Sequence, residues 1–253
     1  MEHRALNLLD EALGLDDKAK VWPLGGRVVL VEDCVETTGS FVLHQVLKRC
    51  LTPQSPSVVV FVAFSQPFSN YDRILRKLGC NLAAQRDNRR FVFIDMLMLQ
   101  CPDACEDGLV PLYEKIEKVT CGLAKEKATT IFIDDISLLE VAANGSSNNV
   151  LDFLHYCLTL TSEHGCSLVA LNHEDIYLNT ERPTLSLQLE YLADILVKAE
   201  PLATGLATDV HGQLTVLNKE TWDGQGSSRN RICNFHFKVK ENSVEYFYPG
   251  SRA

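Results

Sequence analysis

An α/β fold, with a mostly parallel sheet flanked by helices and antiparallel strands at its C-terminal edge, is what this 253-residue sequence predicts. Three observations carry it. Short apolar runs alternate with helical patterns from Arg27 to Asn172, an order that builds strand–helix–strand units and so parallel neighbours. The run Ser57–Phe64 is continuous and β-branched, as a strand covered on both faces is. After Asn172 the strands follow one another closely, and Lys240–Ser243 reads as a tight hairpin turn.

The elements follow in order. Leu6, Leu8, Leu9, Ala12 and Leu13 recur at helical spacing and stop at Gly14, which predicts a short amphipathic helix within an N-terminal extension over 1–20. Trp22–Gly26 breaks the chain before a strand over Arg27–Glu32. A helix follows the next loop, with Phe41, Leu43, Val46 and Leu47 turned inward and Lys48 and Arg49 at its negative end. Ser57–Phe64 is a strand, and Ser69–Leu78 a helix with Asn70 as its expected N-cap and Gly79 past its end. Phe91–Asp95 and Thr129–Asp134 read as strands on either side of a helix over Leu109–Glu126. A turn at Asn144–Asn149 leads into a helix over Val150–His164 and a strand over Ser167–Asn172. A polar loop, His173–Pro183, and a short helix near Leu185–Leu192 precede strands at Ile195–Ala199, Leu214–Asn218, Ile232–Lys238 and Val244–Tyr248. Gly and Ser make Asp223–Asn230 read as a mobile connection. With no repeat and no shift in composition, residues 1–253 are expected to form a single domain.

Bulk properties narrow the function. A net charge of −9 argues against nucleic-acid binding by this chain alone, since neutralising phosphates needs clustered Lys and Arg. The nine cysteines follow no framework spacing, which suits reduced thiols in an intracellular protein. Cys101 and Cys105 form a close pair that no second pair completes, so no metal is expected. No signal-peptide core or membrane-length apolar run is visible. Asn144-Gly145-Ser146 matches a glycosylation acceptor but reads as a turn.

The chemistry centres on Arg27–Arg49, whose strand, tight loop and helix are the setting of a phosphate-binding loop. That loop is Glu32-Asp33-Cys34-Val35-Glu36-Thr37-Thr38-Gly39-Ser40. Phosphate needs glycines that free backbone N–H groups, a Lys to reach the charge and a Ser/Thr for magnesium. Only Gly39 fills the glycine role, no Lys follows it, and Glu32, Asp33 and Glu36 bring negative charge. The strand Thr129–Asp134 with Asp135 matches a Walker B pattern, placed two strand–helix units later. That order is RecA-like, and a structural role for Asp134 and Asp135 follows if no phosphate faces them. No Gly-x-Ser-x-Gly elbow exposes a serine nucleophile, and His173, Glu174 and Asp175 read as loop residues at an interface.

Taken together, Gly26-Arg-Val-Val-Leu-Val, the acidic loop to Phe41, Phe132-Ile-Asp-Asp135 and Leu168-Val-Ala-Leu-Asn172 resemble the Elongator subunit six family over essentially the whole chain. The resemblance implies a RecA-like, non-catalytic subunit with no cofactor. It implies a heterohexameric ring with Elongator subunits four and five, docked on the catalytic Elongator subcomplex in cytoplasm and nucleus. That ring binds tRNA and supports carboxymethyl-type modification of the wobble uridine. In such rings the loops after the fourth and fifth core strands face the channel, so Asn144, His173 and Arg182 are expected near tRNA or an interface. The alternatives are an active RecA-like ATPase with an atypical phosphate loop and an adaptor of another RecA-like assembly.

Overall fold

The computed structural model describes residues 7–15, 22–53, 55, 57–97, 109–122, 128–177, 184–205, 207, 209–223 and 227–250, the side chains of 177, 184 and 220–229 excepted. Nine strands form one sheet in the order β3-β2-β4-β5-β1-β6-β7-β8-β9. They are β1 (Val28–Asp33), β2 (Val58–Ala63), β3 (Phe91–Asp95), β4 (Thr129–Ile133), β5 (Ser167–His173), β6 (Ile195–Glu200), β7 (Gly212–Asp223), β8 (Ser227–Val239) and β9 (Val244–Phe247). Every pair from β3 to β6 is parallel, and the pairs from β6 to β9 are antiparallel. The predicted class holds: a mostly parallel sheet with an antiparallel C-terminal edge.

Strands β1, β2 and β4 are buried at every position, because helices cover both faces of the sheet. Side chains alternate between the faces. Val29 and Val31 join the core beneath α1 (Leu8–Ala12), α2 (Ser40–Cys50), α3 (Phe68–Lys77) and α4 (Leu82–Asp87). Val28 and Leu30 join the other core, under α5 (Val110–Cys121), α6 (Ile136–Ala142), α7 (Ser147–His164) and α8 (Thr184–Leu192). The small helix α1 is part of the first core rather than an appendage, since Leu9, Ala12 and Leu13 are buried in it. Its cap is Asn7, whose side chain accepts from the Asp10 N–H.

Three local expectations need correction, and one helix was not expected. Helix α3 starts at Phe68 behind Pro67, and Asn70 lies inside it, accepting from Arg73, so Asn70 is not the N-cap. Helix α4 was hidden in a polar run, yet Asn81 caps it by accepting from the Ala84 N–H. The stretch 138–149 is mostly helical: α6 runs to Ala142, and Ser146 caps α7 three residues earlier than expected. On either side of 224–226 the expected connection is strand, with Thr221, Trp222 and Asp223 paired to Arg229, Ser228 and Ser227 beyond a bulge after Asn218. Ser227 and Ser228 there had suggested a loop, but both belong to the backbone ladder, and 224–226 lie outside the described residues.

Arg90, just before β3, is a structural clamp. Its guanidinium donates to the carbonyls of Cys50, Thr52 and Ser55, at 3.2, 3.0 and 2.7 Å. No helix among the described residues is long and apolar enough to cross a membrane.

Candidate functional site

In an open parallel sheet, ligands bind beyond the carboxyl ends of the strands. Here β5 lies between β1 and β4, so the end of β1, the end of β4 and His173 meet in one place. Glu32 and Asp33 are not loop residues: they are the last two residues of β1, and both are buried. Being adjacent on a strand, they point to opposite faces, and each meets a cation there.

On the α2 face, Asp33 Oδ2 accepts from the Gly39 N–H at 2.6 Å, and Oδ1 lies 2.5 Å from His173 Nδ1. The other ring nitrogen, Nε2, lies 3.2 Å from Asp135 Oδ2. Both nitrogens therefore donate to carboxylates, which only the imidazolium can do. The hydrogen bonds to Asp135 and Asp33 push the His173 pKa up to about 10, so the ring is charged at neutral pH. Asp135 also caps α6, with Oδ1 accepting from the Leu138 N–H at 2.9 Å and from Ser137 Oγ at 2.5 Å. Burial works to raise its carboxyl, but the bonds from His173, Ser137 and Leu138 outweigh it, holding Asp135 below the usual carboxylate range.

Asp134 faces a different cradle. It accepts from the N–H groups of Phe64 and Ser65 at 2.7 and 3.0 Å and from the Tyr71 hydroxyl at 2.5 Å. Burial still raises its pKa above the ordinary value. The Walker-B-like pair is thus spent on the β2–α3 turn and the start of α6.

On the opposite face, Glu32 aligns with Lys198 of β6, whose Nζ lies 3.0 Å from Glu32 Oε2 and 2.7 Å from Glu190 Oε1. Glu174 is at 3.6 Å from the same ammonium, and Ser186 Oγ donates to Glu32 Oε1 at 3.2 Å. Desolvation dominates at Glu32, pushing its pKa up to about 7 despite Lys198. Lys198 is itself raised: desolvation opposes its charge, and the bonds to Glu190 and Glu32 overcome that. The carboxylates of Glu32, Glu174 and Glu190 stand close enough to share a metal, but the Lys198 ammonium sits among them.

The loop itself is a tight bridge between Cys34 and Thr37. Val35 and Glu36 are exposed at its tip, and Thr37 is buried. Thr38 Oγ1 is 3.0 Å from Ser40 Oγ and accepts the Ser40 N–H. Gly39 has φ −96°, so a left-handed backbone is not what it supplies. It supplies room: a Cβ there would stand 2.9 Å from Val31 Cγ1 and 3.2 Å from the Asp33 Cβ.

Nucleotide and magnesium, which this kind of fold commonly holds, do not fit these residues. The first helical N–H groups of α2 should face an anion, but the Gly39 N–H is taken by Asp33. His173 further ties Asp33 to Asp135, leaving both carboxylates committed within the protein.

The expected site residues thus divide. Asp33, Gly39, Asp135 and His173 converge, Glu32 and Asp134 lie in adjoining networks, and Glu36, Thr38 and Ser40 stay at the surface of the loop. Asn144 is exposed in the turn after α6 at φ 55° and joins none of these networks. Arg182 and the Cys101/Cys105 pair lie outside the described residues. His173 is the last residue of β5 rather than a loop residue, because its partners at Asp33 and Asp135 hold it in register. Lys198, Glu190, Ser186 and Tyr71 went unnoticed. For Lys198 a signal existed: a single charge inside Ile195-Leu-Val-Lys-Ala199 calls for a buried partner.

Comparison with known proteins accords with this architecture. A KaiC-like protein from the hyperthermophilic archaeon Pyrococcus horikoshii superposes with a TM-score of 0.65 over 96% of each chain at 14% identity, which shows the RecA-like fold. Elongator complex protein 6 from human is 30% identical over 247 residues, covering 89% of this chain and 91% of its own. The Xenopus laevis protein of that name is 29% identical over 249 residues, covering 90% and 92%. The profile described as Elongation complex protein 6 matches residues 9–105 and 100–241. With that match running through β1, the ion-paired loop and the C-terminal hairpin, the chain belongs to the Elongation complex protein 6 family.

Proposed function

We propose that this chain is a non-catalytic subunit of Elongator. It builds a RecA-like ring with subunits four and five that binds tRNA and supports wobble-uridine modification, in cytoplasm and nucleus. The observation that carries the non-catalytic part is the Asp33–His173–Asp135 clamp, which uses the groups a phosphate and its metal would need. The family match and its names carry membership of the complex. The net charge of −9 agrees with a supporting role, because the cations that neutralise tRNA phosphates must come mainly from partners.

Two measurements test this. Purified chain is expected to show no shift in melting temperature on adding ATP and magnesium, and a saturable upward shift would refute the non-catalytic reading. Native mass measurement after co-expression with subunits four and five should give a mixed hexamer. A chain that stays apart from both partners would remove the ring.

A further inference from the structure

The connection between α6 and α7 carries Asn144-Gly145, and no other asparagine of the 253-residue sequence precedes a glycine. Both residues are exposed. Asn144 has φ 55° and Gly145 φ 74°, so two consecutive residues take the left-handed backbone, which asparagine and glycine tolerate best. Three backbone bonds close the turn. The Asn144 N–H donates to the Val141 carbonyl at 3.0 Å, that of Gly145 to Glu140 at 2.9 Å, and that of Ser146 to Ala143 at 3.1 Å. Ser146 then caps α7, its Oγ accepting from the Asn149 N–H at 3.3 Å. These bonds are all local, and the opening of such a surface turn is among the least costly motions of a folded chain.

An asparagine side chain presents an electrophilic carboxamide carbon, and the next backbone nitrogen can close a five-membered ring on it. A side chain on that next residue hinders the approach. Gly145 has none, and a Cβ there would meet nothing within 4 Å beyond its own chain neighbours, so the ring has room to form. We infer that Asn144 is a site of spontaneous deamidation in the folded protein, paced by the bond from Gly145 to Glu140. Hydroxide takes the Gly145 amide proton, and the nitrogen attacks Asn144 Cγ. The N–Cγ bond forms, the Cγ–Nδ2 bond breaks, and ammonia leaves with a proton returned by water. Water then opens the succinimide, at Cγ to give aspartate or at the main-chain carbonyl carbon to give isoaspartate, and the new carboxyl loses its proton. While the Glu140 carbonyl holds the Gly145 N–H, that proton is shielded, so the ring closes only when the bond opens.

The two products differ in what they do to the joint. Aspartate keeps the chain and sets a carboxylate just before the first turn of the 18-residue α7, where negative charge is favoured. Isoaspartate sends the chain through Cγ and lengthens it by one methylene. The turn bonds of Gly145 and Ser146 then lose their register, and Ser146 leaves its capping position. This modification goes beyond the subunit reading and does not depend on it.

The test is warm incubation of the purified full-length chain at mildly alkaline pH, followed by peptide mass spectrometry that separates aspartate from isoaspartate. A gain of one dalton should appear at Asn144 ahead of every other asparagine and should quicken in proportion to hydroxide. The urea-unfolded chain should convert faster than the folded one. Ser146→Ala, which loosens the first turn of α7, should fall between them. No gain at Asn144 in the folded chain, or one no sooner than at the exposed Asn242, overturns the site. Equal rates in the folded chain, the unfolded chain and Ser146→Ala overturn the pacing by Gly145 and Glu140. The Asn144→Asp variant carries the aspartate product alone and should melt no lower than wild type, whereas aged chain enriched in isoaspartate should melt lower. Aged chain that melts with the variant overturns the disruption of the α6–α7 joint.

Discussion

Two neighbouring carboxylates at the end of β1 meet opposite fates. Asp33, on the α2 face, has a backbone N–H and an imidazolium as partners, and through His173 it is joined to Asp135, which has two further donors of its own. Glu32, on the α8 face, has one ammonium shared with Glu190 and Glu174 and one hydroxyl. In the first network the bonds from His173, Ser137 and Leu138 outweigh burial and hold Asp135 below the usual carboxylate range. In the second, desolvation wins and Glu32 sits near neutrality at about 7. What decides between them is the supply of hydrogen-bond donors rather than burial, since both carboxylates are almost fully covered. The difference also sets how each network fails: Glu32 can shed its charge by taking a proton at mild pH, whereas Asp33 and Asp135 depend on the histidine.

The largest effect should come from the histidine. His173→Ala leaves Asp33 and Asp135 without their cation, and one-sided removal of a buried pair costs about 3 kcal/mol, to be read from denaturant unfolding at pH 7. A loss below about 1 kcal/mol would put the pair in the class of surface bridges and break the comparison. The pH dependence follows from the same group. His173 is raised from 6.5 to about 10, so its contribution is complete below about pH 6.5 and fades as pH climbs towards 10. The gap between wild type and His173→Ala should narrow over that window, and a constant gap would contradict a charged bridge.

Lys198→Met comes next. Glu32 then loses its cation but can stay protonated, so the loss should be smaller, about 2 kcal/mol at pH 7, and smaller again at pH 5. A loss equal to that of His173→Ala at both pH values would erase the distinction between the two faces.

How far the two faces were legible from the sequence differs in the same way. The parallel half of the sheet was readable because Ser57–Phe64 and Thr129–Asp134 are apolar runs with helices between them, a local signal. The ion networks were not, because their members are 140 residues apart for Asp33 and His173, and only the strand order β4-β5-β1-β6 brings them together. The expected strand stops at Glu32, and Asp33 reads as loop, because charge ordinarily ends a strand. Here it does not, since each charge has a partner on its own face. The alternation of β1 would have separated the two carboxylates, and the lysine in β6 would have pointed to one of them.

Gly39→Ala is the third test. Its Cβ would meet Val31 Cγ1 and press on Asp33, an overpacking worth about 1–3 kcal/mol. The same substitution with Val31→Ala should recover part of the loss in equilibrium unfolding. No recovery would mean that the glycine is needed for something other than space.

The smallest effect belongs to Glu32→Gln, which keeps the volume and the Ser186 contact. Glu32 is raised from 4.5 to about 7, so the folded state holds its proton longer than the unfolded chain, and wild-type stability should fall as pH rises through that interval. The glutamine variant should lack that fall and differ from wild type by less than about 1 kcal/mol at pH 5. A variant that tracks wild type from pH 5 to pH 8 would show that Glu32 does not titrate in that interval.

The hydrogen bond from Gly39 to Asp33 has one more consequence, for engineering. Placing a lysine after Gly39 would not rebuild a phosphate site, because the N–H that should greet the anion already has an acceptor and the carboxylate behind it would repel the ligand. Removing Asp33 alone would strand His173 beside Asp135, and removing His173 alone would leave two carboxylates facing each other across the gap. Both of these single removals break a buried pair on one side and are expected to lower stability, so a return to nucleotide binding calls for several residues to change together.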